Sequence, residues 1–222
     1  LAAGFQTMRF MLQKQISMGE LSTAGATFAR FVYSAPLVLL LVAFYLGTQG
    51  LALPAFSGLF WAYALSGGLA QILATVCVVA LFRQRNFAVG ITFKKTEVVQ
   101  TALVGLVILG DRITWLGLGA ILLGLIGVLI LSETPGFEGR WWRRFGNRAA
   151  ALGLASGAFF AVSAVGYRGA TLEIASADPL LRAGLSLMMV TVMQAVALTL
   201  WLMWREPGQV GRVIAARRTA VW

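Results

Sequence analysis

The sequence contains no histidine and a single cysteine, Cys77. Without imidazole it cannot build a His-dependent catalytic triad, a His-ligated metal site or an imidazole proton relay. One thiol permits neither an intrachain disulfide nor a cysteine-based zinc cluster. Acidic groups are scarce as well, with 8 Asp and Glu against 18 Lys and Arg. No GxxxxGK[ST] phosphate loop occurs, so no nucleotide is implied. The expectation is a protein with no metal and no cofactor.

Apolar residues fill the space. The chain is 59% hydrophobic and only 12% charged, with a mean hydropathy of +0.83. Soluble domains carry roughly 25% charged residues, so a soluble fold this apolar could not cover its surface with polar groups. Hydrocarbon as solvent removes that difficulty. The formal net charge is +10, but the basic residues sit mainly between apolar blocks. That arrangement suits helix ends held against anionic lipid and a topology signal, not nucleic-acid binding.

A spanning helix needs about 20 apolar residues, and lipid offers the backbone no hydrogen-bond partner, so such blocks must be helical. Seven are expected, at about 1–16, 24–46, 56–82, 87–109, 113–131, 149–167 and 179–204. Turn chemistry separates them: Gly47, Gly50 and Pro54; then Arg83, Gln84, Arg85 and Asn86; then Gly110, Asp111 and Arg112. The last of these is short enough to make its flanking helices neighbours. The segment 132–148 carries Trp141, Trp142 and four arginines, a composition suited to the headgroup layer. It reads as a linker between a first unit, 1–131, and the start of a second, 149–222. The chain opens at Leu1 inside an apolar run, which reads as an incomplete first helix of a longer protein.

An internal repeat supports the division. "FQTMRFMLQK" and "FARFVYSAPLVLLLVAF" are matched in order by "FFAVSAVGYRGA" and "LLRAGLSLMMVTVMQAVAL". Phe5 pairs with Phe159, Lys14 with Arg168 and, after a small gap, Arg30 with Arg182. Equivalent helices are then an odd number apart, so the two copies run in opposite directions, as in inverted-repeat transporters.

The stretch "ILGDRITWLGLGAILLGLIGVLIL", Ile108–Leu131, resembles the end of the repeat in EamA-type permeases of the drug/metabolite transporter superfamily. Gly110 and Asp111 stand where that family often has an acidic turn. Gly117, Gly119, Gly124 and Gly127 follow as its glycine-rich helix, and Arg30 resembles its arginine near the start of the second helix. The resemblance implies an all-α polytopic membrane protein of two inverted five-helix units. About seven of ten helices would be present, with three more expected after Trp222. It implies small-solute transport and residence in the cell membrane. A charged run in the fourth helix departs from the pattern.

That run is Lys94-Lys95-Thr96-Glu97, followed by Gln100. A charge at mid-bilayer costs at least ~2.5–3.5 kcal/mol unless it faces a cavity or a partner. Glu97 is spaced to pair with Lys94, while Lys95 points elsewhere. Two readings are open. The residues line a polar pathway, or the helix begins near Thr96 and the lysines snorkel to the headgroups. Arg9, inside the first apolar block, either faces a cavity or marks a boundary. Lys14, Arg30, Arg168 and Arg182 lie near expected helix ends and read as interface anchors or pairing groups. Gln71 and Gln194 need partners, because an amide in lipid seeks one. Tyr33, Trp61, Tyr63 and Tyr167 are further lining candidates. Gly153 and Gly157 form a GxxxG spacing that permits close helix approach, and the Gly117 to Gly127 set similarly suggests tight packing, within the fold or against a second copy of the chain.

The basic residues favour one side: Arg83, Arg85, the linker arginines, Arg205, Arg212, Arg217 and Arg218 share one loop parity. Charge then puts the linker in the cytoplasm, whereas the family resemblance puts both termini there. The candidate site set is Lys94, Lys95, Glu97, Gln100, Arg9 and Gln71. The function expected is a secondary permease working by alternating access. The alternatives are a non-transport membrane subunit and a membrane-embedded enzyme, the latter disfavoured by the absence of histidine.

Overall fold

The structure is a computed structural model that describes residues 21–84, 87–112, 114–131 and 148–216. Arg9, Lys14, the rest of the first apolar block and nearly all of the 132–148 linker lie outside the described residues. Helices are α1 (Thr23–Gln49), α2 (Gly58–Phe82), α3 (Phe87–Lys94), α4 (Glu97–Leu109), α5 (Trp115–Leu131), α6 (Arg148–Leu172), α7 (Pro179–Arg205) and α8 (Gln209–Ala215). No strand occurs among the described residues.

Four helices, α1, α2, α6 and α7, are long and apolar enough to cross a membrane. Side-chain caps open three of them. The Ser22 hydroxyl accepts from the Gly25 N–H at 3.0 Å and opens α1, and Gly50, at φ 61°, closes it. Ser57 caps α2 by accepting from Phe60 N–H at 3.0 Å. Asp178 caps α7 through Leu180 N–H at 2.8 Å, with Pro179 pre-set for the first turn.

The helices pack as two antiparallel pairs. Ser22, at the start of α1, hydrogen-bonds Glu206 beyond the end of α7. At the other end of the pair Tyr45 donates to Asp178 at 2.6 Å. Likewise Ser57 at the start of α2 donates to Glu173, just past the end of α6, at 2.8 Å. Glycine allows α2 and α6 to approach closely. A Cβ on Gly166 would lie 2.7 Å from the Gly67 Cα, so neither position accepts a side chain without backbone movement.

Two apolar clusters form the core. One contains Phe28, Phe31, Val79, Leu198, Leu202 and Val213. The other contains Val42, Phe60, Ala64, Leu181, Leu185 and Val190. α8 closes the first cluster, where Tyr33 donates to the Val213 carbonyl at 2.7 Å.

The segment 87–109, expected as one helix, is two. The break is a tightened turn at Lys95 and Thr96: Lys95 N–H bonds Thr92 O and Thr96 N–H bonds Phe93 O, each at 3.1 Å. The Thr96 hydroxyl also donates to Phe93 O at 2.7 Å and so competes for a carbonyl the helix would use. The two halves run parallel to α6. A Cβ on Gly153 would meet the Gly90 carbonyl carbon at 2.8 Å, and one on Gly157 would meet Lys94 O at 3.2 Å. The Gly153–Gly157 spacing thus serves close approach of the broken helix.

α5 differs from the rest. Among the described residues it packs chiefly on α4, and Trp115 is 90% and Leu116 86% exposed. Gly119, Gly124 and Gly127 have open space where a side chain would stand. Of the two readings of the glycine set, tight packing within the fold does not occur at these three positions among the described residues. α1 begins at Thr23, within a residue of the expected start, and Arg30 lies about two turns, ~10 Å, inside it.

Candidate functional site

The chemistry-bearing residues fall into two groups. The first surrounds the α3–α4 break. Lys94 Nζ meets Glu97 Oε2 at 2.6 Å, as the spacing implied, with 14% and 31% of the two side chains exposed. The ammonium also stands 4.6 Å from the centroid of the Phe160 ring on α6. A cation over an aromatic face gains from the ring quadrupole, most of all when desolvated. Lys95 is exposed and turned away from the pair. Gln100 donates from Nε2 to Thr96 Oγ1 at 3.0 Å. Its Oε1 is buried, accepts from no described group, and would lie 3.0 Å from a Cβ on Gly157. The break thus assembles an ion pair, an aromatic face and an unsatisfied acceptor against one side of α6.

The second group joins α1, α2, α6 and α7. Gln194, 2% exposed, donates from Nε2 to Gly68 O at 2.9 Å and to Gln71 Oε1 at 2.8 Å. Tyr167 donates to the same Gln71 oxygen at 2.7 Å. One turn along α2, Thr75 accepts from Arg30 Nη1 at 2.8 Å and itself donates to Gln71 O at 2.8 Å. On α2 these residues lie between Ala64 of one apolar cluster and Val79 of the other. On α7, Gln194 lies between Val190 and Leu198 of the same two clusters. They form a polar layer across the middle of the helix pairs.

Of the sequence-derived set, Lys94, Glu97 and Gln100 come together, Lys95 stands aside, and Gln71 belongs to the other group. The two groups are separated along α6 by the seven residues from Phe160 to Tyr167, about 10 Å of rise. The expectation that Gln71 and Gln194 would find partners is met by each other. Tyr33 binds the Val213 carbonyl instead, Trp61 stacks edge-on with Phe56 and Phe60, and the Tyr63 ring packs against Gly169. Thr75 and Gly68 carried no sequence signal: a threonine bonding its own helix and a bare carbonyl are commonplace. Arg168 and Asp111 form an ion pair across 57 residues of chain, tying the α4–α5 turn to α6. No spacing rule pairs two residues so far apart.

Among the described residues no cluster of three or more His, Cys, Asp or Glu could hold a metal. Comparison with family models, curated proteins and solved structures finds no match to this chain. The described residues define an all-helical membrane protein with four helices fit to span a bilayer.

Proposed function

We propose that the chain is a secondary transporter of the EamA permease type, moving a small solute across the cell membrane by alternating access. The observation that carries this reading is the interrupted helix. A break inside an apolar segment, bearing an ion pair and an unsatisfied acceptor, has a use where it lines a path for a polar solute. The Lys94–Glu97 pair is the main binding element. Its opening presents an ammonium to an anionic group and a carboxylate to a cation or proton. Gln100 Oε1 accepts a hydrogen bond from the solute, and Phe160 holds the cation in place.

The inverted repeat belongs to the same reading. α1 and α7, the helices it equates, are an antiparallel pair of equal length, 27 residues each. Rocking along that contact would expose the break to each side in turn. The exposed apolar face of α5 is where further helices or a second copy of the chain would pack.

The test is solute flux into proteoliposomes, using a panel of labelled amino acids, organic acids and organic cations. Lys94→Ala, Glu97→Gln and Gln100→Leu should each depress uptake several-fold, and Lys95→Ala should leave it near wild type. Uptake unchanged in the first three variants would remove the site. No protein-dependent uptake of any member of the panel would favour a structural or signalling subunit.

A further inference from the structure

The two ends of the helix pairs differ in charge. At one end Arg112, Arg168 and Arg182 are matched by Asp111, Glu173 and Asp178. At the other end the described residues supply Arg83, Arg148, Arg205 and Arg212 against Glu206. Two of these groups are already engaged: Glu206 accepts from Ser22, and Arg83 donates to Leu21 O at 2.6 Å. Arg205 and Arg212 are exposed, and neither forms an ion pair with a described carboxylate. The chain holds these two at one corner. Arg205 closes α7, Gly208 turns the backbone at φ 91°, and linked turns follow: Gln209 N–H bonds Glu206 O and Arg212 N–H bonds Gly208 O, each at 3.1 Å. α8 then runs back along the start of α1, with Gln209 beside Gly25 and the Val213 carbonyl held by Tyr33. Gln209 and Val213 face inward, while Arg212 and Ile214 face out. An isoleucine beside an arginine on an outer face suits the boundary between acyl chains and headgroups. The last turns of α7 continue that surface, with Leu200, Trp201, Met203 and Trp204 exposed. The Arg205 guanidinium carbon stands 4.5 Å from the centroid of the Trp204 ring, which supports the cation from one face.

We infer that the α7–α8 corner is a binding site for an acidic phospholipid of the surrounding membrane. Arg205 and Arg212 take the phosphodiester headgroup, and Trp204, Met203 and Ile214 take the start of an acyl chain. A guanidinium fits phosphate oxygens through parallel N–H bonds, which a diffuse positive field does not. A zwitterionic headgroup brings an ammonium that the two cations repel, so the selected lipid is a net anion. A soluble phosphate would answer the arginines and leave the apolar side chains beside them without a partner. A lipid answers both. Arg205 belongs to α7, whereas α8 carries Arg212 and is bonded to α1. A lipid bridging the two arginines therefore fastens the end of the α1–α7 pair where Ser22 meets Glu206. The site rests on membrane embedding and not on transport.

The test uses the full chain in mixed micelles of detergent and phosphatidylcholine, with phosphatidylglycerol replacing a rising share of the lipid. Unfolding is followed by intrinsic tryptophan fluorescence on heating. A ligand of the folded state raises the midpoint, so phosphatidylglycerol should raise it by several degrees and saturate at a low share. The double variant Arg205→Gln, Arg212→Gln should lose most of that rise. Arg205→Lys with Arg212→Lys keeps the charge and should need several-fold more phosphatidylglycerol for half of the effect. Arg148→Gln at the same end and Arg112→Gln at the opposite end should keep it in full. Equal midpoints with and without phosphatidylglycerol would overturn the proposal. So would a full rise in the double glutamine variant, or an equal loss in Arg148→Gln, which would mean attraction spread over the whole basic end. Inorganic phosphate or polyglutamate matching the effect of phosphatidylglycerol would replace the lipid with a soluble anion or an acidic protein. If the double variant does not fold, the wild type decides. Phosphatidylglycerol with brominated acyl chains should quench tryptophan emission at a lower mole fraction than brominated phosphatidylcholine, and Trp204→Phe should shrink that difference. Equal quenching by the two lipids would overturn the site. None of these readouts involves flux, so a failed transport assay and a failed lipid assay are separate results.

Discussion

The α3–α4 break and the α1–α2–α6–α7 layer solve the same problem in opposite ways. Both put polar side chains among apolar helices. The break does it with full charges, half-open to their surroundings, held against a glycine face that a flexible side chain could vacate. The layer does it with amides and hydroxyls, closed above and below by packed cores and locked where two backbones touch. A charged pair at the edge of a helix break can separate and reform at modest cost. An amide network between touching backbones cannot shift without moving whole helices. On the proposed function, the break is the part that changes and the layer the part that holds its shape.

Glycine substitutions should expose that contrast most strongly. Gly166→Ala drives a methyl group into the Gly67 backbone, and overpacking of this kind costs about 1–3 kcal/mol or more. We expect a large drop in the thermal midpoint or in folded yield. Gly157→Ala meets the Gln100 amide, the end of a flexible side chain, at 3.0 Å and the Lys94 carbonyl oxygen only at 3.2 Å. It should cost less stability than Gly166→Ala while reducing solute uptake. Equal thermal losses for the two variants would break the comparison.

A smaller effect should separate the two glutamines. Gln194→Met removes the donors to Gly68 O and Gln71 Oε1, and hydrogen bonds between membrane helices contribute roughly 0.6–1.7 kcal/mol each. Chemical unfolding in mixed micelles should show a loss of that order. Gln100→Met gives up one bond within its own helix and should cost less than Gln194→Met by the same measurement.

The Lys94–Glu97 pair, with 14% and 31% of its side chains exposed, should contribute less again if it faces the water of the proposed pathway, where such pairs give about 0–1 kcal/mol. Lys94→Ala should leave the unfolding midpoint nearly unchanged. A loss as large as that of Gln194→Met would mean the pair is buried and structural.

The smallest effect is expected at the wet end of the α1–α7 pair. The Tyr45 hydroxyl on Asp178 is the chief reason that carboxyl lies below the ordinary carboxylate value, helped by the N–H groups at the start of α7. A depressed folded pKa contributes stability above the unfolded value and loses it as pH falls through the folded one. Acid unfolding should therefore be steeper in the wild type than in Tyr45→Phe. The side chains meet in water, so the difference should be slight.

Much of this was legible in the residues. Blocks of apolar sequence announced the long helices because backbone in hydrocarbon has no other regular form. The i, i+3 spacing of Lys94 and Glu97 announced their pair because both lie on one helix face. The break between them was legible in part: a helix start near Thr96 was one of the two open readings, but that 87–94 would be helical as well was the other, and the sequence did not show that both hold at once. The partner of Arg30 was not legible: Thr75 lies on another helix, 45 residues away, where no local spacing points to it. Gln71 and Gln194 each signalled the need for a partner, but their meeting is a fact of three dimensions.

Composition by itself determined the solvent, the helical class and the scarcity of acid–base chemistry, since these depend only on what the side chains are. Tertiary structure decided which polar groups meet, which stay unsatisfied and which glycines are indispensable. Those outcomes depend on distances between elements far apart in the chain, where no local periodicity constrains them.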